Sequence, residues 1–348
     1  MKKFRFIIAL AIAALAFTSS AVPVGTTPVH RPIMEEYTGT WCGWCVRGIV
    51  GMGLLREQLG EEFIGVAYHN SDPMQIMNQY GYPNTINGFP SAFLDRTHSV
   101  DAYYGFGDTP GGIVSDYQAL ADIATTAGIE VVAHWTSDAK TEISVDMTTY
   151  FTENNTNAKY ALEVMLGADD LYGTASGWNQ ANYYSGYSSY NSDPYLKPWV
   201  SRPSTVSGLH FNDVLIFTSS RISSSIPTTI TAYEDYTYNY TFPLTKLQKP
   251  ALVQNKDNLY IVVLVVDTSN GKVINANKCL ISDYVEPIMI GDVDGNGIVS
   301  IDDVTALINY LLSHDETGIN LANANVEDDE KVDIADVTAL ISMLLTKN

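Results

Sequence analysis

Cysteine, positive charge and long apolar runs are all scarce in this chain of 348 residues. Three cysteines are too few for a scaffold stapled by disulfides. Lys and Arg total 19 against 39 Asp and Glu, a formal charge of −20, and such a field repels phosphate backbones and anionic lipid. We therefore expect no nucleic-acid binding. No run after residue 21 reaches the roughly 18 apolar residues of a membrane span, so none is expected in the mature chain.

What the chain does contain suits an exported β-rich protein. Hydrophobic residues make up 46%, enough for two or three domains with their own cores, whereas charged residues make up only 17%. A basic start, an apolar stretch over 6–17 and small residues at Ser19 and Ala21 predict a signal peptide over residues 1–21. The mature protein is then periplasmic, attached to the cell surface or secreted, where a disulfide persists.

The rest of the chain divides into three ranges by pattern. Residues 22–126 alternate strand and helix patterns, which predicts an α/β domain. The strands are expected at Ile33–Thr38 and Phe63–His69, and the helices at Val46–Leu59 and Asp116–Ala124. Residues 127–287 hold β-branched and aromatic runs and predict an antiparallel β-sandwich. The runs are 129–136, 142–151, 158–166, 209–219, 229–242 and 259–267, with a long Tyr- and Ser-rich surface loop over 172–208.

The third range, residues 288–348, is an internal duplication. The hexapeptide at 303–308 recurs unchanged at 336–341, a period of 33 residues. Each copy predicts a helix with one apolar stripe, and the two stripes can bury each other. The stripe residues are Val304, Leu307, Ile308 and Leu311 in the first copy and Val337, Leu340, Ile341 and Leu344 in the second.

An acidic loop precedes each of these helices. The first loop places ligands at the positions of a calcium loop, with Gly297 at the sharp turn and Asp in place of the terminal Glu. Its expected ligands are Asp292, Asp294, Asn296, the Ile298 carbonyl, Ser300 and Asp303. The corresponding residues of the second loop are Asn325, Glu327, Asp329, the Lys331 carbonyl, Asp333 and Asp336. Glu330 replaces the turn glycine there, so we expect a weaker second site and one or two bound calcium ions.

The alternative is an acidic helix pair that binds no metal. Carboxylates crowd this segment, and it is too small to be stable by core burial alone, so a bound cation removes both difficulties. Paired loops, each followed by a VTALI helix, resemble a type I dockerin. The resemblance implies a small α-helical calcium-binding domain that docks to a cohesin-like protein. Positions 301–302 and 334–335 lack the hydroxyl pair frequent in cellulosomal dockerins, which leaves the partner open.

Two of the cysteines form a Cys-x-x-Cys motif, Trp41-Cys42-Gly43-Trp44-Cys45, between a predicted strand and a predicted helix. Cys42 would lie at the helix N-terminus, where unpaired N–H groups and the dipole favour a thiolate. Cys45, one turn later, is placed to resolve a mixed disulfide.

The motif and its surroundings resemble the thioredoxin superfamily. The resemblance implies that Glu36 is a buried proton-relay carboxylate and that Phe89-Pro90 is a cis-proline loop opposite the cysteines. Glu35 and Glu36 alternate in a strand, so only one is expected to face inward. Residues 30–285 also resemble, more loosely, a family named for an outer-membrane protein of about 28 kDa, whose members share no firm activity.

Three interpretations of the cysteine pair stay open. It is a thiol–disulfide exchange site acting on a dithiol or disulfide protein, a structural disulfide in a non-catalytic adhesion or assembly subunit, or half of a zinc site. Zinc needs four ligands as a rule, and the remaining cysteine, Cys279, lies far along the chain and is expected to be a small buried hydrophobe.

Overall fold

The computed structural model describes residues 23–284, 289–327, 329 and 331–346. These residues form two compact units with a boundary after Tyr284. The predicted signal peptide over 1–21 and the predicted boundary at 287/288 lie outside the described residues.

The first unit is built on thirteen strands and three helices among its described residues. The strands are β1 (Ile33–Thr38), β2 (Ile64–His69), β3 (Ser91–Leu94), β4 (His98–Val100), β5 (Ala127–Trp135), β6 (Glu142–Phe151), β7 (Tyr160–Ala168), β8 (Gln180–Ala181), β9 (Thr205–Val206), β10 (Val214–Ile222), β11 (Tyr236–Pro243), β12 (Leu259–Asp267) and β13 (Val273–Ser282). The helices are α1 (Val46–Leu59), α2 (Ile113–Ala121) and α3 (Lys197–Val200).

Eleven of these strands join one mixed sheet in the order β11-β6-β5-β13-β12-β7-β10-β2-β1-β3-β4. β1 and β2 are parallel, and β10 runs parallel to β2. The sequence predicts an α/β domain over 22–126 and a separate sandwich over 127–287. The structure differs, because Val214 of β10 pairs with Ala67 of β2 and so connects strands from both ranges. One compact unit therefore spans both ranges.

Helix α1 starts immediately after the cysteine motif and packs on the sheet through an apolar face. Leu55 is fully buried, and it clusters with Met34 of β1, Leu94 of β3 and Tyr117 of α2. Strand β12 is buried along almost its whole length, as expected for a strand covered on both faces. Strand β1, which leads into the motif, is buried along its whole length, so the sheet has protein on both sides there as well.

The second unit contains α4 (Ile301–Ser313), α5 (Leu321–Ala324) and α6 (Ile334–Thr346). Val304 and Leu307 of α4 pack with Val337 and Leu340 of α6 in a small core. The predicted stripe is wrong at its outer edge, because Ile308 and Ile341 are 39% and 40% exposed. Val293, from the loop before α4, fills the core with them and is fully buried.

Candidate functional site

The cysteine motif follows directly from the end of β1. Cys42 and Cys45 are bonded to each other as a disulfide. A short 3-10 turn over Gly43–Cys45 leads into α1, which begins at Val46. The sequence prediction of a motif between strand and helix is confirmed, and the cysteines lie at the positive end of the α1 dipole. The disulfide leaves neither sulfur as a thiolate for zinc in this oxidised form.

Glu36 lies on the face of β1 that α1 covers. Its carboxylate is almost fully buried and contacts Gly48, one turn after Cys45, so closely that a Cβ on Gly48 would overlap it. Its Oε1 atom has no hydrogen-bond partner among the described residues. Burial raises the pKa of this carboxyl to about 8; the Thr38 side chain opposes the shift, and the nearby negative charges of Asp213 and Asp101 add to it. At neutral pH, Glu36 is therefore largely a protonated acid.

Glu35 is also buried, on the opposite face of β1, which corrects the expectation that only one of the two glutamates faces inward. Arg96 donates to both oxygens of Glu35 and, through its other nitrogens, to both oxygens of Glu163. The Tyr68 hydroxyl donates to Glu35 at 2.9 Å. Because the sheet is covered on both faces, each glutamate meets a different environment: Glu35 forms an ion pair with Arg96, and Glu36 forms none within the described residues.

The Phe89-Pro90 loop lies at the same end of the sheet as the cysteines. The Phe89–Pro90 peptide bond is cis. The loop leads into β3, whose first residue, Ser91, pairs with Tyr37 near the end of β1. The Phe89 ring packs edge-on against Trp41, with ring centroids 5.4 Å apart. The loop therefore reaches the residue that immediately precedes Cys42.

The segment over 172–208 covers the cysteine motif, and sequence reasoning missed this contact. The Gln180 side chain donates to the Cys42 carbonyl at 2.8 Å, and the Tyr183 amide donates to the Gly43 carbonyl at 3.2 Å. The Tyr183 ring occupies the space that a side chain on Gly43 would need. As a result, Cys42 is only 5% exposed. A high tyrosine content does not by itself predict which surface of the protein such a segment packs on.

We call the segment over 172–208 the cap. Buried apolar side chains attach it to the rest of the first unit. Tyr184, Leu196 and Trp199 are buried in the same cluster as α1 and α2. Trp44, between the two cysteines, meets the rings of Tyr183 and Tyr184 edge-on, with centroids 5.6 and 5.3 Å away. The cap is therefore an integral part of the first unit.

The first acidic loop has the geometry of a cation site. Carboxylate oxygens of Asp292, Asp294 and Asp303 lie within 4.8 Å of one another. Asp292 and Asp303 are buried, although no basic side chain pairs with either among the described residues. Gly297, at the turn, has a φ of 83°, a conformation that glycine adopts without strain. Buried, converging, unneutralised oxygens fit a hard divalent ion such as calcium.

In both loops, the carboxylate at the last ligand position also accepts hydrogen bonds from backbone amides of its own loop. Asp303 accepts from the amides of Asp294 and Ser300, at 3.1 and 2.8 Å. In the second loop, Asp336 accepts from the amides of Glu327 and Asp333, at 3.1 and 2.8 Å. The two loops therefore share the same pattern of hydrogen bonds between this carboxylate and the loop backbone.

The second loop is only partly described. Asn325 accepts from the Asp329 amide, as Asp292 does from Asn296 in the first loop. The Lys331 amide is held by the Asp329 carboxylate at 2.7 Å. Glu330, whose side chain is the basis for expecting weaker binding, lies outside the described residues.

Cys279 is a free thiol on β13, and burial raises its pKa to about 11. It is half-buried rather than fully buried, and its raised pKa keeps it protonated and unreactive.

The second unit thus contains two similar acidic loops, each followed by a helix, and the comparisons give its class. Residues 290–345 match the dockerin type I domain family. Dockerin type I domains bind calcium and dock to cohesins, so this chain carries a module for calcium-dependent protein docking. The dockerin part of the sequence prediction is confirmed.

Solved structures match the larger part of the chain at low identity. HBP35 of Porphyromonas gingivalis is 12% identical, with 77% of this chain and 82% of that chain covered and a TM-score of 0.51, which shows a shared fold. A protein of Agrobacterium tumefaciens is 13% identical over 75% of this chain and 99% of its own, with a TM-score of 0.39. A domain of the outer membrane lipoprotein Omp28 from Porphyromonas gingivalis is 17% identical over 46% and 92%, with a TM-score of 0.24.

A comparison with curated protein sequences finds no match. Every helix in the described parts of both units is too short or too polar to span a bilayer.

Proposed function

We propose that this protein is an exported thiol–disulfide oxidoreductase of the thioredoxin-like class, which its dockerin domain tethers to a cohesin-like partner in a calcium-dependent way. Cys42 and Cys45 form the redox pair, Glu36 transfers a proton, and the Phe89-Pro90 loop holds the substrate chain. The substrate class is a protein dithiol or, in the reverse direction, a protein disulfide. The signal peptide predicted over residues 1–21 supports a reaction outside the cytoplasm.

Thiol–disulfide exchange proceeds in two successive displacement steps, in which bonds and electrons balance. A substrate thiolate attacks the sulfur of Cys42, the Cys42–Cys45 bond breaks, and Cys45 leaves as a thiolate that takes the proton of Glu36. The second substrate thiolate then attacks the substrate sulfur of the mixed disulfide and releases the Cys42 thiolate. The substrate loses two electrons and becomes a disulfide, and the cysteine pair gains them. Reduction of a substrate disulfide runs through the same steps in reverse.

The buried carboxyl of Glu36, whose Oε1 has no hydrogen-bond partner among the described residues, is the observation that carries this proposal. A buried carboxyl without a hydrogen bond to its Oε1 destabilises the fold, and a structural disulfide has no need of one. The group lies under the first turn of α1, and its pKa of about 8 suits an acid that must give and regain a proton near neutral pH.

The test is oxidation of a reduced model dithiol peptide by the full chain. Wild type should form the peptide disulfide and lose its own, while Cys42→Ser should be inactive. Glu36→Gln should slow the reaction at neutral pH by at least about tenfold, because the amide cannot give up a proton. Equal rates for wild type and Cys42→Ser would overturn the exchange function.

A second candidate is an assembly subunit whose Cys42–Cys45 bond is structural. The observation in its favour is the cover over the motif, which leaves Cys42 only 5% exposed. Structural disulfides have reduction potentials below about −300 mV, and exchange sites lie above that value. The potential of the pair therefore separates the two candidates.

For docking, we propose that the partner contacts the outer faces of α4 and α6. Each helix exposes a similar apolar stripe, with Leu312 80% and Leu345 72% exposed at equivalent positions. Capture of a cohesin-like protein should need calcium and should weaken when Leu312 and Leu345 are both changed to Glu. Capture that is unchanged by a chelator would contradict the proposal.

A further inference from the structure

A small cavity lies beside the cysteine motif, between α1 and strands β1 and β2, and Gln180 of the cap is part of its wall. Its volume is about 50 Å³. Its wall includes Glu36 from β1, His69 from the end of β2, Arg56 from α1 and Asp213 from the turn before β10. A water molecule needs roughly 10–15 Å³, so this polar cavity has room for a few.

The imidazole ring of His69 lies at the wall of this cavity and is held there by its neighbours. It is 6% exposed, and its Nδ1 atom lies 2.7 Å from Oδ2 of Asp72. The same carboxyl accepts from the amides of Thr40 and Met74, at 3.0 and 2.9 Å, so its position is determined by three contacts. The ring also packs edge-on against Phe211 at 5.8 Å. Because Nδ1 donates to Asp72, Nε2 is the nitrogen left to exchange protons.

The other charged groups around Glu36 are already engaged. Asp213 is paired with Arg56, although burial still raises the pKa of its carboxyl to about 6. Asp101, which adds negative charge near Glu36, is paired with Arg47 at 2.7 Å. His210 also lines the cavity, but it is exposed and bonded to Asp170 at 2.6 Å. Among the described residues that line the cavity with Glu36, only His69 combines burial with a ring nitrogen, Nε2, that has no hydrogen-bond partner among the described residues.

We infer that His69, held by Asp72, passes protons between solvent and Glu36 through water in this cavity. The inference rests on the proposed function, in which Glu36 gives its proton to the Cys45 thiolate. Glu36 is then a carboxylate in a closed site and must regain one proton before it can act again. The Nε2 atom of His69 first takes a proton from solvent and then delivers it to Glu36, so one proton enters for each one used and the ring returns to its Nδ1–H form. His69 acts through Glu36 and is a positioning and relay residue.

The first experiment reads the relay without requiring any exchange activity. The carboxylic-acid infrared band of Glu36, identified by its loss in Glu36→Gln, is followed after transfer of the oxidised full chain into D₂O. His69→Asn keeps a donor toward Asp72 but has no Nε2, and it should slow deuteration of Glu36 by at least about tenfold. His98→Asn, at an exposed histidine on β4, is the matched control and should leave the rate unchanged. An unchanged rate in His69→Asn, or equal slowing in His210→Asn, would overturn the inference.

The second experiment measures reduction of the disulfide by dithiothreitol as a function of pH. His69→Asn should lower the rate near neutral pH and flatten its pH profile, while the reduction potential at equilibrium stays that of wild type. A decrease in the reduction rate that is equally large at all pH values would indicate a structural role for His69 and would contradict the relay. If wild type itself fails to oxidise the model dithiol peptide, the proposed function fails, and the deuteration result still decides whether His69 serves Glu36. His69→Gln replaces His69→Asn if the latter loses its near-ultraviolet dichroism.

Discussion

The Glu36 carboxylate lies directly against the α-carbon of Gly48, so that only the Glu36 side chain separates strand β1 from helix α1 at this point. Close approach of this kind needs glycine at that helix position. It also brings the acid under the turn that carries Cys45. The contact therefore connects the packing of the first unit to the proposed chemistry.

The first prediction concerns this contact. Gly48→Ala should destabilise the first unit by about 1–3 kcal/mol, because the added methyl overlaps a buried carboxyl that has no room to move. Gly53→Ala, on the same helix with open space around it, is the matched control. It should be stabilising by up to about 1 kcal/mol, since alanine favours the helix. Urea unfolding of both variants checks this, and equal effects would contradict the packing.

The second prediction is a pH dependence of stability. The folded-state pKa of Glu36 is raised from 4.5 to about 8, so between these values the unfolded chain loses a proton that the folded chain keeps. Stability is then lost as pH rises through this window, at about 1.4 kcal/mol per pH unit. Glu36→Gln should remove this slope and be more stable than wild type at pH 8. Parallel stability curves for the two proteins would mean that Glu36 ionises normally.

The third prediction concerns the cap. Tyr183→Ala should speed reduction of the Cys42–Cys45 bond by dithiothreitol about two- to tenfold, because it removes an aromatic contact that holds the cover over Gly43. Tyr80→Ala, at a tyrosine that is 89% exposed, should leave the rate unchanged. If both variants react at the wild-type rate, the cap does not limit access to the sulfur.

The fourth prediction concerns metal. A chelator should unfold the second unit, because Asp292, Asp294 and Asp303 would then repel one another at short range, and it should leave the first unit folded. Far-ultraviolet dichroism reports the helices of the second unit. Asp292→Ala should weaken calcium binding, measured by calorimetry, more than Asn325→Ala does. An identical spectrum with and without the chelator would contradict the calcium site.

Local elements could be predicted from the sequence wherever periodicity was strong. Helix α1 and strands β1, β6 and β12 begin and end where the pattern indicates. Strand β13 was missed, because Asn275 and Asn277 interrupt its apolar pattern and bond instead to backbone carbonyls of the neighbouring strand β5.

What could not be predicted is long-range pairing. No local pattern shows that Val214 lies beside Ala67, although this pair joins the two sequence ranges into one sheet. The environment of Glu35 depends on that joining, because Arg96 links it to Glu163 of β7, whereas α1 covers Glu36 from within the first range. The contact of Gln180 with Cys42 likewise depends on where a loop folds back over 138 residues of sequence.

The reduction potential of Cys42–Cys45 in the full, calcium-loaded chain tests the central claim most directly. Equilibration against glutathione, read by alkylation of the free thiols, gives the value. An exchange site predicts a potential above about −300 mV. A potential below that limit, with no mixed disulfide formed by Cys45→Ser, would contradict the account and leave the bond a structural one.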